Sequence, residues 1–204
     1  MPEVCPLVHG LPSLVAARPS HRLRVAQVHI FGCIDAASCF PTRGRALQVR
    51  WRLEFDSNVE VIAGPTEGLT KVAEVESEDA IIDEPIDVHL NVTSLLRGGP
   101  PRLVIDVWHE DDNARFELSG YGFAHLPVAP GAHDLQLACW RPWGTSYERL
   151  SARFVGGYPQ LVDPSLVAAE DDRYGLRTET TGVVYFHADV VVGSAFAECN
   201  ARLG

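Results

Sequence analysis

The sequence predicts an all-β protein, an antiparallel β-sandwich of about eight strands with one short helix. Polar and apolar residues alternate in several segments of strand length, which is typical of strands with one buried and one solvated face. The 204 residues include 17 glycines and 14 prolines, so turns are frequent and long helices are disfavoured. A chain of this length is expected to build one hydrophobic core.

Alternation is strictest in Leu47–Phe55, where five apolar side chains point to one face and four polar ones to the other. Trp51 lies on the apolar face and is predicted to be in the core. The same period of two predicts further strands at residues 28–34, 59–63, 86–92, 103–107, 120–126, 133–138, 174–178 and 184–192.

One segment breaks this pattern. Thr145 followed three residues later by Glu148 has the form of a capping box, in which the two side chains satisfy the first free amides of a helix. Apolar residues at positions 147, 150 and 154 follow at helical spacing, and two glycines at 156 and 157 provide a stop. These features predict a helix over Ser146–Val155 at the edge of the sandwich.

We predict one domain over residues 25–196, preceded by a loosely ordered extension of residues 1–24 and followed by a tail of residues 197–204. Prolines at positions 2, 6, 12 and 19 and the lack of a basic flank make a secretory signal unconvincing. The cysteines are scattered, odd in number and without a C-x-x-C pair, which favours free thiols and a reducing, cytoplasmic compartment. No apolar run reaches the ~18 residues of a membrane-spanning helix.

The formal net charge of −10 and the absence of a large Lys or Arg cluster argue against nucleic acid as a partner. A run from Glu74 to Asp87 is acidic and contains no Lys or Arg. Most such runs are solvated loops that protect a sheet edge. A sharper interpretation is a docking patch for a basic partner, with salt-sensitive association. This acidic patch comprises Glu74, Glu76, Glu78, Asp79, Asp83 and Glu84.

A second acidic segment follows the strand that ends at Trp108. Glu110, Asp111 and Asp112 supply the hard oxygen ligands that calcium prefers. An apolar strand end, an acidic loop and a glycine at the restart resemble the calcium loop of C2 domains. A zinc site at His109, Glu110 and Asp111 is disfavoured, because neighbouring residues in a strand or turn point apart and zinc needs three convergent ligands.

On the C2 pattern the candidate calcium ligands are Asp35, Asp111 and Glu117. His109 stands where the first Asp would be, and no second Asp follows Asp35 in the partner loop. Because calcium takes about six to eight oxygens, this cage is incomplete. We therefore expect no bound metal and interpret the segment as a solvated acidic bend; the alternative is a calcium-dependent phospholipid-binding module.

The chain contains no G-x-S-x-G, H-E-x-x-H or P-loop motif, so we predict no enzyme and no cofactor. The glycines of Gly120–Gly122 enter a strand instead of opening a helix, which indicates close packing under an aromatic neighbour. A further hypothesis, a small hydrolase, would use His109 and Asp111. Trp108 shares a face with Asp106 and fits either an exposed or an interfacial position.

Longer motifs resemble the B9 domain family, over about residues 26–192. They are GYGFAHLP from Gly120, WRPWG from Trp140 and FVGGYPQL from Phe154, with Val107 and Trp108 before them. The matching signature residues are Trp108, Gly120, Tyr121, Gly122, Phe123, Trp140, Arg141, Pro142, Gly156 and Gly157. Trp140 and Trp143 flank Arg141 and Pro142, where they would pin the predicted helix.

The resemblance implies a C2-related sandwich that acts as a scaffold at the base of cilia, in the transition zone and associated with the cytoskeleton. It implies two other B9-domain proteins as partners, one of similar size and the larger Meckel syndrome type 1 protein. The assembly would lie close to the membrane and support both cilium formation and the ciliary membrane diffusion barrier.

Overall fold

Antiparallel strands form most of the regular structure. The computed structural model describes residues 26–41, 46–93, 99–111, 113–169 and 175–193. The strands are β1 (Ala26–Ser38), β2 (Ala46–Glu54), β3 (Val59–Ala63), β4 (Glu67–Leu69), β5 (Ala73–Glu76), β6 (Asp79–Val92), β7 (Arg102–Glu110), β8 (Phe116–His125), β9 (Gly131–Pro142) and β10 (Thr178–Val192). Helix α1 (Ser146–Val155) and a 3₁₀ helix (Pro164–Val167) lie between β9 and β10.

The strands close into a ring in the order β1-β10-β9-β8-β7-β2-β5-β6, because β1 also pairs with β6. β3 joins this ring on β6, and β4 joins it on β2. The β8–β9 junction is a single residue pair, Tyr121 with Trp140, and β5 is short. This closed ring of antiparallel strands is the barrel-like form of the predicted sandwich, with its sparsest pairing at these two places.

The main core lies between the two sheets. Alternate residues of β1, β2 and β10 point inward, and Trp51 is only 2% exposed, as its place in the alternating pattern predicts. Gly68 on β4 allows close approach, since a Cβ there would lie 2.7 Å from the Trp51 indole ring. The largest fully buried side chains include Phe186, Ile30, Leu103 and Ile105.

Helix α1 spans the predicted residues and begins with the predicted capping box. The Thr145 side chain accepts a hydrogen bond from the Glu148 amide, and the Glu148 side chain accepts one from the Thr145 amide at 2.7 Å. Within the described part of the chain, no helix is long and apolar enough to cross a membrane.

Several predicted strand limits need correction. β6 begins at Asp79 instead of at residue 86, and β4 and β5 were not predicted, so the acidic run folds as a hairpin and not as a loop. The predicted strand 174–178 is wrong at residues 175–177, which precede β10, and residue 174 lies outside the described residues. The predicted terminal extension (1–24) and tail (197–204) also lie outside them, so the domain limits 25–196 remain a prediction.

Val190 and Val191 are adjacent on β10, yet one is 3% and the other 56% exposed. We expect Val190→Ala to lower the free energy of unfolding by about 2 kcal/mol, because it removes buried methyl groups and leaves a cavity. Val191→Ala is the matched control and should change stability by less than about 0.5 kcal/mol. Urea unfolding of both variants checks this, and equal losses would contradict the assignment of the two faces of β10.

Candidate functional site

The signature residues build a second apolar cluster outside the main core. Both faces of β7 are buried: Leu103 and Ile105 point into the main core, whereas Val104 points to the opposite face. There it packs with Leu118 and Tyr121 of β8. Residues that pack on this second cluster include Trp108, Phe123, Trp140 and Leu161, together with Val167 and Ala168 at the 3₁₀ helix.

Residues 161–168, which follow α1, cover this cluster, and Tyr121 is hydrogen-bonded to this covering segment. Its hydroxyl oxygen accepts a hydrogen bond from the Leu161 amide at 3.2 Å, and its ring lies 5.8 Å from that of Trp140. Burial is the largest cause that raises the pKa of Tyr121. Sequence reasoning left the position of Trp108 open; the structure shows it half-buried in this cluster, 5.7 Å from the Arg50 guanidinium.

The signature glycines permit close packing between strands. A Cβ at Gly122 would lie 2.9 Å from the Cys139 sulfur, and one at Gly120 would collide with the Thr181 hydroxyl. The close packing that the sequence predicts is therefore present, but the neighbours are Cys139 and Thr181 instead of an aromatic ring.

Arg141 is a buried cation at the end of β9. Its Nε donates a short hydrogen bond to Glu179, and its guanidinium lies 3.9 Å from the centre of the Tyr158 ring. Two residues further on, the Trp143 ring stacks with the Arg149 guanidinium of α1, which lies 3.8 Å from the centre of the ring. These contacts border a cleft of about 250 Å³ between the end of β9 and α1.

Glu117 is one of the three candidate calcium ligands, and in the structure it anchors the C-terminal end of α1. Its Oε1 accepts a hydrogen bond from the Gly157 amide at 3.0 Å. Gly156 and Gly157 have φ angles of +83° and +85°, a region that favours glycine. A Cβ at Gly156 would also collide with the Glu117 carboxylate. The two signature glycines are thus needed for the turn and for this contact.

Asp111, the second candidate ligand, closes the turn between β7 and β8. Its carboxylate accepts hydrogen bonds from the amides of Asn113 and Arg115, both at 2.8 Å, and from the Arg115 guanidinium at 2.9 Å. The Arg115 amide is the largest cause that lowers the pKa of Asp111 to about 2. Asp112 lies outside the described residues.

Asp35, the third candidate ligand, accepts a hydrogen bond from His187 at 2.8 Å. The three candidate ligands thus have three separate sets of partners, and they do not fit a calcium cage. In the described ranges, Cys33, Asp35 and Asp83 instead place ligand atoms within 4.8 Å of one another. Burial raises the pKa of the Cys33 thiol to about 11, and Asp35 acts in the same direction.

His109 belongs to a buried polar group instead of an open catalytic site. Its Nδ1 lies 2.8 Å from Ser119 Oγ, and its Nε2 lies 3.9 Å from Glu117 Oε2. A serine, a histidine and a carboxylate in series resemble a hydrolase triad. His109 and Ser119 are 3% and 1% exposed, so a substrate cannot reach them, and Asp111 is engaged in its own turn.

The acidic patch lies on the solvent side of the β5–β6 hairpin. Ala73 and Ala80 are buried, while the carboxylates between them are exposed and Glu84 is half-buried. Asp79 accepts a hydrogen bond from Ser38 Oγ at 2.5 Å, which ties the hairpin to β1. The alternation A-E-V-E over Ala73–Glu76 could have predicted β5.

One exposed surface was not predicted as a site. The apolar residues of α1, Tyr147, Leu150 and Phe154, face solvent instead of the sheet. Their helical spacing was visible in the sequence, but the direction in which this face points was not.

Burial, the largest cause, lowers the pKa of His109, and Glu117 opposes the shift. Burial therefore favours the neutral form of His109 in the folded protein, whereas in the unfolded chain this residue gains a proton as the pH falls through about 6.5. Because the unfolded state binds this proton more readily, the unmodified protein should lose stability relative to His109→Gln as the pH falls from about 7.5 to 5.5. The raised pKa of His187 contributes the opposite slope, but it does so in both proteins and cancels in the comparison. Urea unfolding across this range measures both slopes, and identical slopes would contradict a neutral buried His109.

Comparisons with known proteins agree with the motifs that carry the resemblance. A family model described as "Ciliary basal body-associated, B9 protein" matches residues 28–191. B9 domain-containing protein 2 of Xenopus laevis is 40% identical over 169 residues, which are 82% of this chain and 94% of that protein. "Tectonic-like complex member MKS1" of Rattus norvegicus is 38% identical over 108 residues, 48% of this chain and 18% of that protein.

Among solved structures, a C2 domain of plant Extended Synaptotagmin 1 is similar, with a TM-score of 0.40 and 13% identity. The similarity covers 81% of this chain and 94% of that domain. The residues that the family model matches include nearly all of the sandwich and the second apolar cluster, and the match to B9 domain-containing protein 2 covers 82% of this chain. The chain belongs to the B9 family of ciliary basal body-associated proteins.

Proposed function

We propose that the protein is a non-enzymatic scaffold of the ciliary transition zone, within a Meckel syndrome or tectonic-like complex. It binds other B9-domain proteins at the cytoplasmic base of the cilium and supports cilium formation and the membrane diffusion barrier. The observation that carries this proposal is the match to B9 domain-containing protein 2 along 94% of that relative. The partial match to a tectonic-like complex member supports the choice of assembly.

The roles of the signature residues are consistent with a scaffold. Tyr121 accepts a hydrogen bond from Leu161, Glu117 accepts one from Gly157, and the Arg141 guanidinium stacks on the Tyr158 ring, so all three contacts hold the chain at and after the end of α1. These contacts make the surfaces rigid, and rigid surfaces lose less conformational entropy on binding. The partners we propose are the other short B9-domain protein and the larger Meckel syndrome type 1 protein, with this chain between them.

The acidic patch is proposed as one docking surface, for a basic region of a partner. Its carboxylates are exposed on a hairpin whose apolar residues anchor it to the core, so their positions are fixed. Clustered charge of one sign speeds the encounter with an opposite charge and repels acidic competitors.

Co-expression of the full chain with the two proposed partners, followed by size-exclusion chromatography, tests the scaffold directly. Co-elution of a complex is expected. If the chain elutes alone in the presence of each partner and of both together, the scaffold proposal is wrong.

Charge neutralisation tests the acidic patch. Glu74→Gln, Glu76→Gln and Glu78→Gln together should slow association with the partner about three- to tenfold at low salt, with little effect on dissociation. The dependence of the association rate on salt should also become weaker. Biolayer interferometry at several salt concentrations measures both effects.

A matched control separates the patch from total charge. Glu60→Gln, Glu67→Gln and Asp134→Asn remove the same charge from exposed positions on β3, β4 and β9. This control variant should associate with the partner at a rate close to that of the unmodified chain. Equal slowing in both triple variants would show that net charge matters and the patch does not.

A further inference from the structure

Helix α1 presents its apolar face to solvent. Tyr147, Leu150 and Phe154 are 80%, 58% and 79% exposed, and at 3.6 residues per turn they lie on one side of the helix. Ala152 is buried and lies about 200° around the helix from Leu150. The helix therefore rests on the domain through a small residue and directs its large apolar side chains outward.

This arrangement is unusual for a helix on a globular domain, where the apolar face normally points to the core. Contiguous exposed apolar side chains with polar neighbours mark interaction sites. Trp143, 40% exposed, lies between α1 and β9, where its ring stacks with the Arg149 guanidinium.

The surface is held in place at both ends. The capping box of Thr145 and Glu148 fixes the first turn, and the Trp143–Arg149 stack joins that turn to β9. At the other end, Glu117 holds the Gly157 amide. A partner thus meets a preformed helix and does not have to order it.

The side chains that line the cleft include two arginines and one carboxylate, in contrast to the net charge of −10 for the chain. The carboxylate of Glu148, next to Arg149 in α1, is bonded to Thr145 in the capping box. Glu179 neutralises Arg141 in the cleft, but Arg149 forms no ion pair among the residues described here. Arg141 is 8% exposed, and its buried Nη1 has no hydrogen-bond partner in those residues. The cleft therefore has an excess of hydrogen-bond donors and one unneutralised cation.

We infer that this face of α1, with the adjoining cleft, docks an acidic amphipathic peptide segment of a partner protein. The apolar side chains of the segment cover Tyr147, Leu150 and Phe154, and one of its carboxylates pairs with Arg149. The spacing i, i+3 and i+7 places the three side chains of α1 in one apolar stripe, which the apolar face of an amphipathic segment can cover. A single free arginine beside a strongly acidic domain fits a carboxylate better than an anionic membrane, which requires several basic groups.

A selection of random 16-residue peptides on the immobilised full chain tests the inference without any B9 partner, so its outcome is separate from that of the co-elution experiment. Enriched peptides are expected to combine Leu, Phe or Trp with Asp or Glu. The variant Leu150→Ala with Phe154→Ala, and the variant Arg149→Glu, should each weaken binding of an enriched peptide by about tenfold or more. A Glu→Lys change in the peptide should restore binding to the Arg149→Glu variant.

Ile81→Ala is the control, because Ile81 is 71% exposed on the hairpin, away from α1. Thermal melting should show that all variants remain folded, as the substituted residues are exposed. No enrichment, or enrichment of basic peptides, would overturn the inference. Peptides that bind the α1 variants as tightly as the unmodified chain would also do so. If no peptides are enriched and the chain binds phosphatidylserine vesicles in a way that the α1 variants lose, the face belongs to a membrane contact. If no peptides are enriched and the chain self-associates in a way that the α1 variants lose, the face belongs to a contact with a second copy.

Discussion

Burial of β7 on both faces is the constraint on which the rest of the structure depends. A sandwich strand normally has one face in the core and one in water. In β7, Ile105 points into the main core, and Val104 on the opposite face points into the second apolar cluster. That cluster requires a cover, which the chain after α1 provides through Leu161 and the 3₁₀ helix. Because the cover is fastened to Tyr121, α1 is held between it and the end of β9, and its apolar face is left toward solvent.

The carboxylates that resemble metal ligands in the sequence serve the same framework. Asp111 satisfies the amides of its own turn, and Glu117 holds the glycine turn at the end of α1. A carboxylate oxygen that already accepts several hydrogen bonds has little left to offer a cation, and moving it would free buried or turn amides. In this chain the acidic loop between β7 and β8 therefore has a structural role.

Local rules predicted much of this fold. The capping box at Thr145 placed α1 correctly, and strict alternation placed β2 and put Trp51 in the core. The hairpin of β5 and β6 was missed because its dense charge resembled a loop, although the residues between the charges are apolar. Periodicity shows which side chains of α1 share a face, but not which way that face points, since this is set by distant contacts with β8 and β9. The separate partners of Asp35, Asp111 and Glu117 also depend on pairings far apart in sequence.

The two proposed docking surfaces differ in sign, and this difference has a consequence for assembly. The hairpin repels an acidic segment, and Arg149 repels a basic one, so each surface discourages the partner suited to the other. In the proposed position between two other B9-domain proteins, this chain must bind a different partner at each surface. The opposite charges of the two surfaces favour this without further contacts. Exposed apolar residues on both surfaces, Ile81 on the hairpin and Leu150 on α1, can then supply affinity while charge supplies the choice of partner.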